Sequence, residues 1–312
     1  MKQLNTYITE YIIKKKLDKP INSEDHYTYF PKTKQELIKN IQELLNKNIH
    51  NFNCIDTSAI TDMSKLFCNE VFEKINFNVS DWNVSNVENM DRMFIDCEKF
   101  DCELSNWNTS KVKYTDDMFF KCKNFTGEGL ENWDVSNVKN MDFMFTRCYE
   151  FDCDLSKWDV SKVKFMYALF DSCKKFKGKG LENWDVSNIK DAGFIFNNCE
   201  NFNCDLSNWN VSNIENMSHM FNNCKKFNCD LSNWNVSKIT KSDMMFNNCK
   251  NFTGKGLENW NVSNVKDMGS MFHYCENFNC DLSNWNVSKV KYMDFIFKKC
   301  NSLKNKPSWY KE

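Results

Sequence analysis

One pattern, written nine times with substitutions, leaves this chain little choice of architecture: Trp-Asn/Asp-Val-Ser-x-Val/Ile-x-x-Met-x-x-Met-Phe-x-x-Cys-x-x-Phe. The run from Trp209 to Phe227 is a clean copy. Copies open at Trp82, Trp107, Trp133, Trp158, Trp184, Trp209, Trp234, Trp260 and Trp285, always 25 or 26 residues apart. A period in that range belongs to stacked coils, in which each unit buries its apolar side only against its neighbours. One elongated body is therefore expected, although 312 residues would suffice for two ordinary domains.

Within a copy the apolar spacing changes. Trp209 and Val211 alternate with polar residues, as in a short strand with one buried face. Ile214, Met217, Met220, Phe221 and Cys224 then fall three or four apart, the spacing of a helical turn. One short parallel strand and one short helical segment per repeat predict an α/β repeat solenoid, a leucine-rich-repeat-like coil over residues 55–300. Nine or ten coils stacked about 4.8 Å apart would make a body roughly 45 Å long.

The ends read differently. Residues 2–17 place Leu4, Tyr7, Ile8, Tyr11 and Ile12 on one face of a short amphipathic helix, ahead of Lys14, Lys15 and Lys16. A polar linker containing Pro20 completes the segment 1–30. Thr33 and Glu36 have the spacing of a capping box, and Leu37, Ile38, Ile41, Leu44 and Leu45 follow as an apolar stripe. That predicts a helical N-terminal cap over 31–54. Ile55 to Phe67 form a degenerate first repeat, as terminal repeats are expected to be. At the far end, residues 301–312 read as a C-terminal cap, with Leu303 in the Phe place and Trp309 one period after Trp285.

Sixteen cysteines invite a disulfide framework, but the arithmetic opposes it. Nine occupy one repeat position, from Cys97 to Cys300. Five more (Cys102, Cys153, Cys204, Cys229 and Cys280) follow five residues later. Pairing within repeats leaves Cys122, Cys173, Cys249 and Cys300 over, with Cys54 and Cys68. Most are expected to be reduced, buried and stacked in a ladder.

Charge excludes some partners. A net charge of −1 gives no electrostatic reason to expect nucleic acid or an anionic membrane surface. No apolar run approaches the roughly 20 residues of a membrane helix. The start lacks the basic, apolar and small-residue regions of a secretory signal. A cytoplasmic location is expected, with the cell surface by an unconventional route as the alternative.

Candidate chemistry is sparse. The serine three residues after each Trp recurs nine times and no histidine keeps register with it, so turn closure is expected rather than nucleophilic catalysis. Gly127-Glu128-Gly129, Gly178-Lys179-Gly180 and Gly254-Lys255-Gly256 lack the rest of a nucleotide loop and read as bulges that absorb one extra residue. Asp154, Asp205, Asp230 and Asp281 read as hydrated surface carboxylates, with calcium between coils the less favoured option. No metal, cofactor or enzymatic activity is expected. The residue after each Trp must point outward if Trp and Val point inward. This column, Asn83, Asn108, Asp134, Asp159, Asp185, Asn210, Asn235, Asn261 and Asn286, is either an amide ladder between coils or a recognition strip for a protein or glycan.

The repeat, extended to Leu-x-x-Trp-x-Val-Ser-x-Val-x-x-Met-x-x-Met-Phe-x-x-Cys-x-x-Phe, resembles those of BspA-like leucine-rich-repeat surface proteins, and the tandem repeats of unknown function found in them and in some bacterial lipoproteins. The resemblance covers about residues 55–300. Phe30 to Leu37, followed by Ile60 to Met63, is similar to the lead-in of such arrays. It implies a non-enzymatic solenoid used in adhesion or protein binding, with no catalytic residues to carry over. The chain departs from surface members in its cysteine content and in its start, which shows neither signal peptide nor lipoprotein cysteine. The expectation is a protein-protein interaction module, with an adhesin binding protein or glycan as the alternative.

Overall fold

The computed structural model describes residues 27–311. The amphipathic helix expected at 2–17 and most of its linker lie outside the described residues. Helix α1 spans Lys34–Asn46. The Thr33 hydroxyl accepts the Glu36 N–H at 3.2 Å, and the Glu36 carboxylate accepts the Thr33 N–H at 3.3 Å. Two donors that a helix start leaves bare are thereby satisfied. Leu37, Ile41 and Leu44 are buried in one apolar cluster with Phe52 and Ile55. Ile38 faces solvent instead, because it lies more than a quarter turn from the line through 37, 41 and 44.

Beyond α1 the chain winds into stacked coils, but not of the expected content. Among the described residues the repeats contain no α-helix and no strand longer than an isolated parallel bridge. Each coil is a succession of β-turns. After Trp209, the N–H groups of Ile214, Met220, Cys224, Phe227 and Trp234 each return to the carbonyl three residues earlier, at 2.9–3.2 Å. The residues at both ends of each turn point inward and are buried. Corners every three residues therefore imitate helical spacing. His219 and Asn223 have φ of 59° and 61°, the left-handed conformation that a type II turn needs at its third residue and that would break a helix. The strict three-residue steps Ile214–Met217–Met220 and Phe221–Cys224–Phe227 are the sequence signal for turns.

The pairing between coils also falls elsewhere than expected. Trp209 and Val211 are buried, yet the bridging residue is Asn216, which pairs with Asp191 below and Lys241 above. From there every second N–H donates to the next coil. Met217, His219, Phe221 and Asn223 reach the carbonyls of Lys241, Asp243, Met245 and Asn247 at 2.8–3.0 Å. The intervening N–H groups of Met220, Asn222 and Cys224 return within the coil, and that of Ser218 donates to Asn216 Oδ1. No backbone donor from Met217 to Cys224 is left unpaired, which is what permits this irregular segment to lie against a core.

The interior is a set of columns. Phe170 stacks on Phe196 at 5.9 Å and 3°, and Phe246 on Phe272 at 5.8 Å and 2°. All ten tryptophans donate their indole N–H to a carbonyl of the preceding coil, as Trp209 does to Leu181 at 2.7 Å. All sixteen cysteines are free thiols. In the main column each Sγ reaches a phenylalanine carbonyl one coil back, for example Cys224 to Phe196 at 2.9 Å. Burial pushes these thiols up, so they stay protonated and able to donate.

Coils with the extra residue absorb it at Gly-x-Gly. Gly178 and Gly180 have φ of 88° and 93°, and a 3-10 turn, Leu181–Asn183, follows. A Cβ on Gly180 would stand 2.1 Å from the Ser156 backbone nitrogen, so only glycine fits.

Candidate interaction surface

The nine outward residues predicted to form a strip are all exposed. They do not form an amide ladder with one another. Each Oδ1 instead accepts the N–H of the serine two residues on in its own coil, at 3.0–3.2 Å. These are Asx turns, closed by the Asn or Asp side chain and not by the serine hydroxyl as expected. Ser85, Ser110, Ser212 and Ser263 also donate their hydroxyls to the same Oδ1 at 2.7 Å. Hydrogen bonds from the Ser161 hydroxyl and N–H hold the Asp159 carboxyl below its ordinary value.

Links between coils occur in other columns. Asn86, Asn137 and Asn264 each donate Nδ2 to a serine carbonyl one coil back and accept a lysine ammonium from the next, Lys111, Lys162 and Lys289 in turn. A true amide ladder runs through Asn198, Asn223 and Asn248, at 2.6 and 2.7 Å. Asp154 and Asp230 close Asx turns and pair with Lys179 and Lys255 of the following coil. Those lysines, with Ser156 and Ser232, hold both carboxyls down to about 2. Among the described residues no cluster of three or more His, Cys, Asp or Glu has the geometry to hold a metal ion.

The face above the backbone ladder was not foreseen. At the first left-handed position of successive coils stand Arg92, Asp117, Phe143, Ala168, Phe194, His219, Met244, Ser270 and Phe295. The backbone ladder beneath recurs from coil to coil, with one rung missing between Met166 and Asp191, while the side chains range over charged, polar and aromatic residues. Four rings meet across consecutive coils. Phe143 lies 5.3 Å from Tyr167, Tyr167 5.5 Å from Phe194, and Phe194 4.3 Å from His219. All four are part-exposed. Aligning the repeats and reading down the two positions after the first Met would have exposed this column.

Carboxylates surround it. The charges of Asp191, Asp171, Asp142 and Asp243 add to burial in raising the Tyr167 phenol. Burial also raises Asp171, and lifts Asp142 to about 6. Two coils earlier, burial and the neighbouring Asp116 push Asp91 up to about 7.

A family profile described as "Mycoplasma protein of unknown function, DUF285" matches residues 33–153, 116–180, 169–256 and 229–311. The overlapping matches take in almost all of the described chain. A comparison with curated proteins returns no match. Among solved structures, one titled "Crystal structure of TLR13-ssRNA13 complex" is similar at a TM-score of 0.25 and 10% identity, over 87% of this chain and 51% of that one. This chain thus spans about half the length of that protein.

Proposed function

The chain belongs to the family of Mycoplasma proteins of unknown function DUF285, and from that premise we propose that it is a non-enzymatic repeat protein that presents a recognition surface to another protein. One observation carries this reading: a recurring backbone ladder displays side chains of varied chemistry, from Arg92 and Asp117 to Phe143 and Met244. A rigid scaffold with varied outward residues is the arrangement that recognition requires. The residues that suggested chemistry have structural duties, serines in Asx turns and thiols on carbonyls of the preceding coil. The polar strip from Asn83 to Asn286 is a second candidate surface, since its Asx turns engage only one atom of each side chain. Among the described residues no helix is long and apolar enough to cross a membrane, which is compatible with a cytoplasmic role.

Site-specific photocrosslinking tests the reading. A benzophenone amino acid replaces Phe194 on the ladder face or Asn210 on the strip, and the full chain is incubated with lysate of the native organism. A single polypeptide that crosslinks saturably from one position is expected. Absence of saturable crosslinking at both positions rejects the reading.

The resemblance to BspA-like surface proteins supports a second reading, a surface-displayed or host-directed adhesin for protein or glycan. Labelling of intact cells with an impermeant biotin reagent separates the two. Recovery only from the unlabelled fraction removes the adhesin.

A further inference from the structure

Several surface carboxylates of this protein pair with a lysine from the adjacent coil. Lys113 pairs with Glu88, Lys121 with Asp96, Lys123 with Glu98, Lys225 with Glu200 and Lys255 with Asp230. The carboxylates around Tyr167 have no such lysine. Among the described residues, none of Asp142, Asp171, Asp191 and Asp243 lies within ion-pair distance of a lysine or arginine. Asp243 alone has a partner of that kind, His219 at 3.6 Å, whose imidazole burial holds below its ordinary value. The charge of Arg147 reaches Asp171 without a direct ion pair, and the hydrogen-bonding partners of the four are otherwise neutral. Asp142 accepts the Tyr167 N–H, Asp191 the Gly193 N–H and the Asn216 amide, Asp171 Ser172 and two asparagine amides, and Asp243 the Ser218 hydroxyl.

The rings among them are held in place by small neighbours. Ala168 fills the left-handed position that Phe143 and Phe194 occupy in adjoining coils, which leaves Tyr167 to bridge between those two rings. Gly193 seats the Tyr167 ring, since a Cβ there would stand 2.8 Å from Tyr167 Cε2. Phe143 and Tyr167 meet at 64° and Tyr167 and Phe194 at 49°, so these pairs leave ring face open, whereas His219 stacks on Phe194 at 11°. Part-exposed aromatic faces among carboxylates that lack a cation attract a positively charged group, and a guanidinium meets both, stacking on rings and bridging carboxylate oxygens. The patch crosses four coils, or about 15 Å at the usual strand spacing, which suits several cations on one chain.

We propose that the face formed by Phe143, Tyr167, Phe194 and His219 binds a basic peptide segment, with arginine the preferred side chain. The proposal rests on the reading of the chain as a protein-recognition module and specifies the chemistry of its partner. A neutral glycan could stack on the rings but would leave Asp142 and Asp191 without a counter-charge.

The test titrates the full chain with acetylated, amidated octa-arginine, octa-lysine and a neutral Gly-Ser peptide at about 0.15 M salt, where long-range attraction is screened. Saturable binding is expected, with arginine tighter than lysine and the neutral peptide inert. Tyr167→Ser combined with Phe194→Ser should weaken arginine binding about tenfold, as should Asp142→Asn combined with Asp191→Asn. Gly193→Ala, which displaces the Tyr167 ring and removes no charge, should weaken it in a chain whose melting confirms that it is folded. Asp134→Asn, Asp159→Asn and Asp185→Asn together, which take charge from another face, should leave it unchanged. Equal loss in that strip variant, unchanged binding in the ring variants, or binding of neutral cellohexaose in place of arginine overturns the proposal. Crosslinking to a protein from Phe194 or Asn210 without arginine binding defeats this inference alone; absence of crosslinking defeats the broader reading.

Discussion

Two stretches of each coil hold the stack together by opposite means. From Met217 to Cys224 the backbone does so, with alternate N–H groups donating to the next coil. Between Leu206 and Trp209 a side chain does so, the indole of Trp209 reaching back to the Leu181 carbonyl. Their tolerances are reversed. The ladder keeps its length in every repeat while its outward residues range from Arg92 to Phe295. The tryptophan corner keeps its side chain in every repeat while its approach has 25 or 26 residues to the turn. Where the main chain sets register, side chains are released for recognition. Where a side chain sets register, length can vary, provided glycine takes up the slack.

The largest expected break of this contrast is at the corner. Trp184→Ala removes a buried ring and its bond to Leu155, and should destabilise the chain by about 3–5 kcal/mol in urea unfolding. Met244→Gln, on the ladder, should change stability by no more than about 0.5 kcal/mol. Similar losses at both sites would show that the two stretches are not specialised.

A smaller effect probes the left-handed backbone of the ladder. Met244 has φ of 51°, a conformation that a β-branched residue resists. Met244→Val should cost about 1–2 kcal/mol, whereas Met244→Gly should be neutral or slightly stabilising. Equal stability of the valine and glycine variants would mean that the ladder can reach its register without these turns.

The smallest effect is on pH. Burial first, and then the Asp116 side chain, raise Asp91 to about 7, against about 3.9 when unfolded. The folded state therefore holds the extra proton between those values. The stability this confers is complete below about pH 4 and is lost as pH rises through 7. Thermal midpoints should fall from pH 5 to pH 8, and Asp91→Asn should flatten that fall. His219 and His273, whose burial lowers them, act in the opposite sense below about pH 6.5 in both proteins, so the difference between the two profiles reports on Asp91. An identical slope in the variant would show that Asp91 does not titrate in this window.

Much of the protein was legible in its order of residues, because burial in a stacked coil repeats with the coil. The period, the inward Trp, Phe, Met and Cys columns, the Thr33–Glu36 cap of α1 and the glycine bulges all follow from local chemistry repeated along the chain. The residue after each Trp faces outward for a local reason too, since one between buried Trp209 and buried Val211 has only the other side to face. Three further features depended on the tertiary structure. Helix and consecutive turns share a three-residue spacing, and only the register with the next coil, paid back in hydrogen bonds at Met217, His219, Phe221 and Asn223, selects turns. The polar bonding that sequence suggested for Asn83 and its counterparts moved to Asn198, Asn223 and Asn248, because an amide ladder needs its members aligned across coils. The aromatic and acidic face from Phe143 to His219 arises because residues about 25 apart come to lie one coil apart, a proximity that stacking creates and that no local stretch of sequence contains.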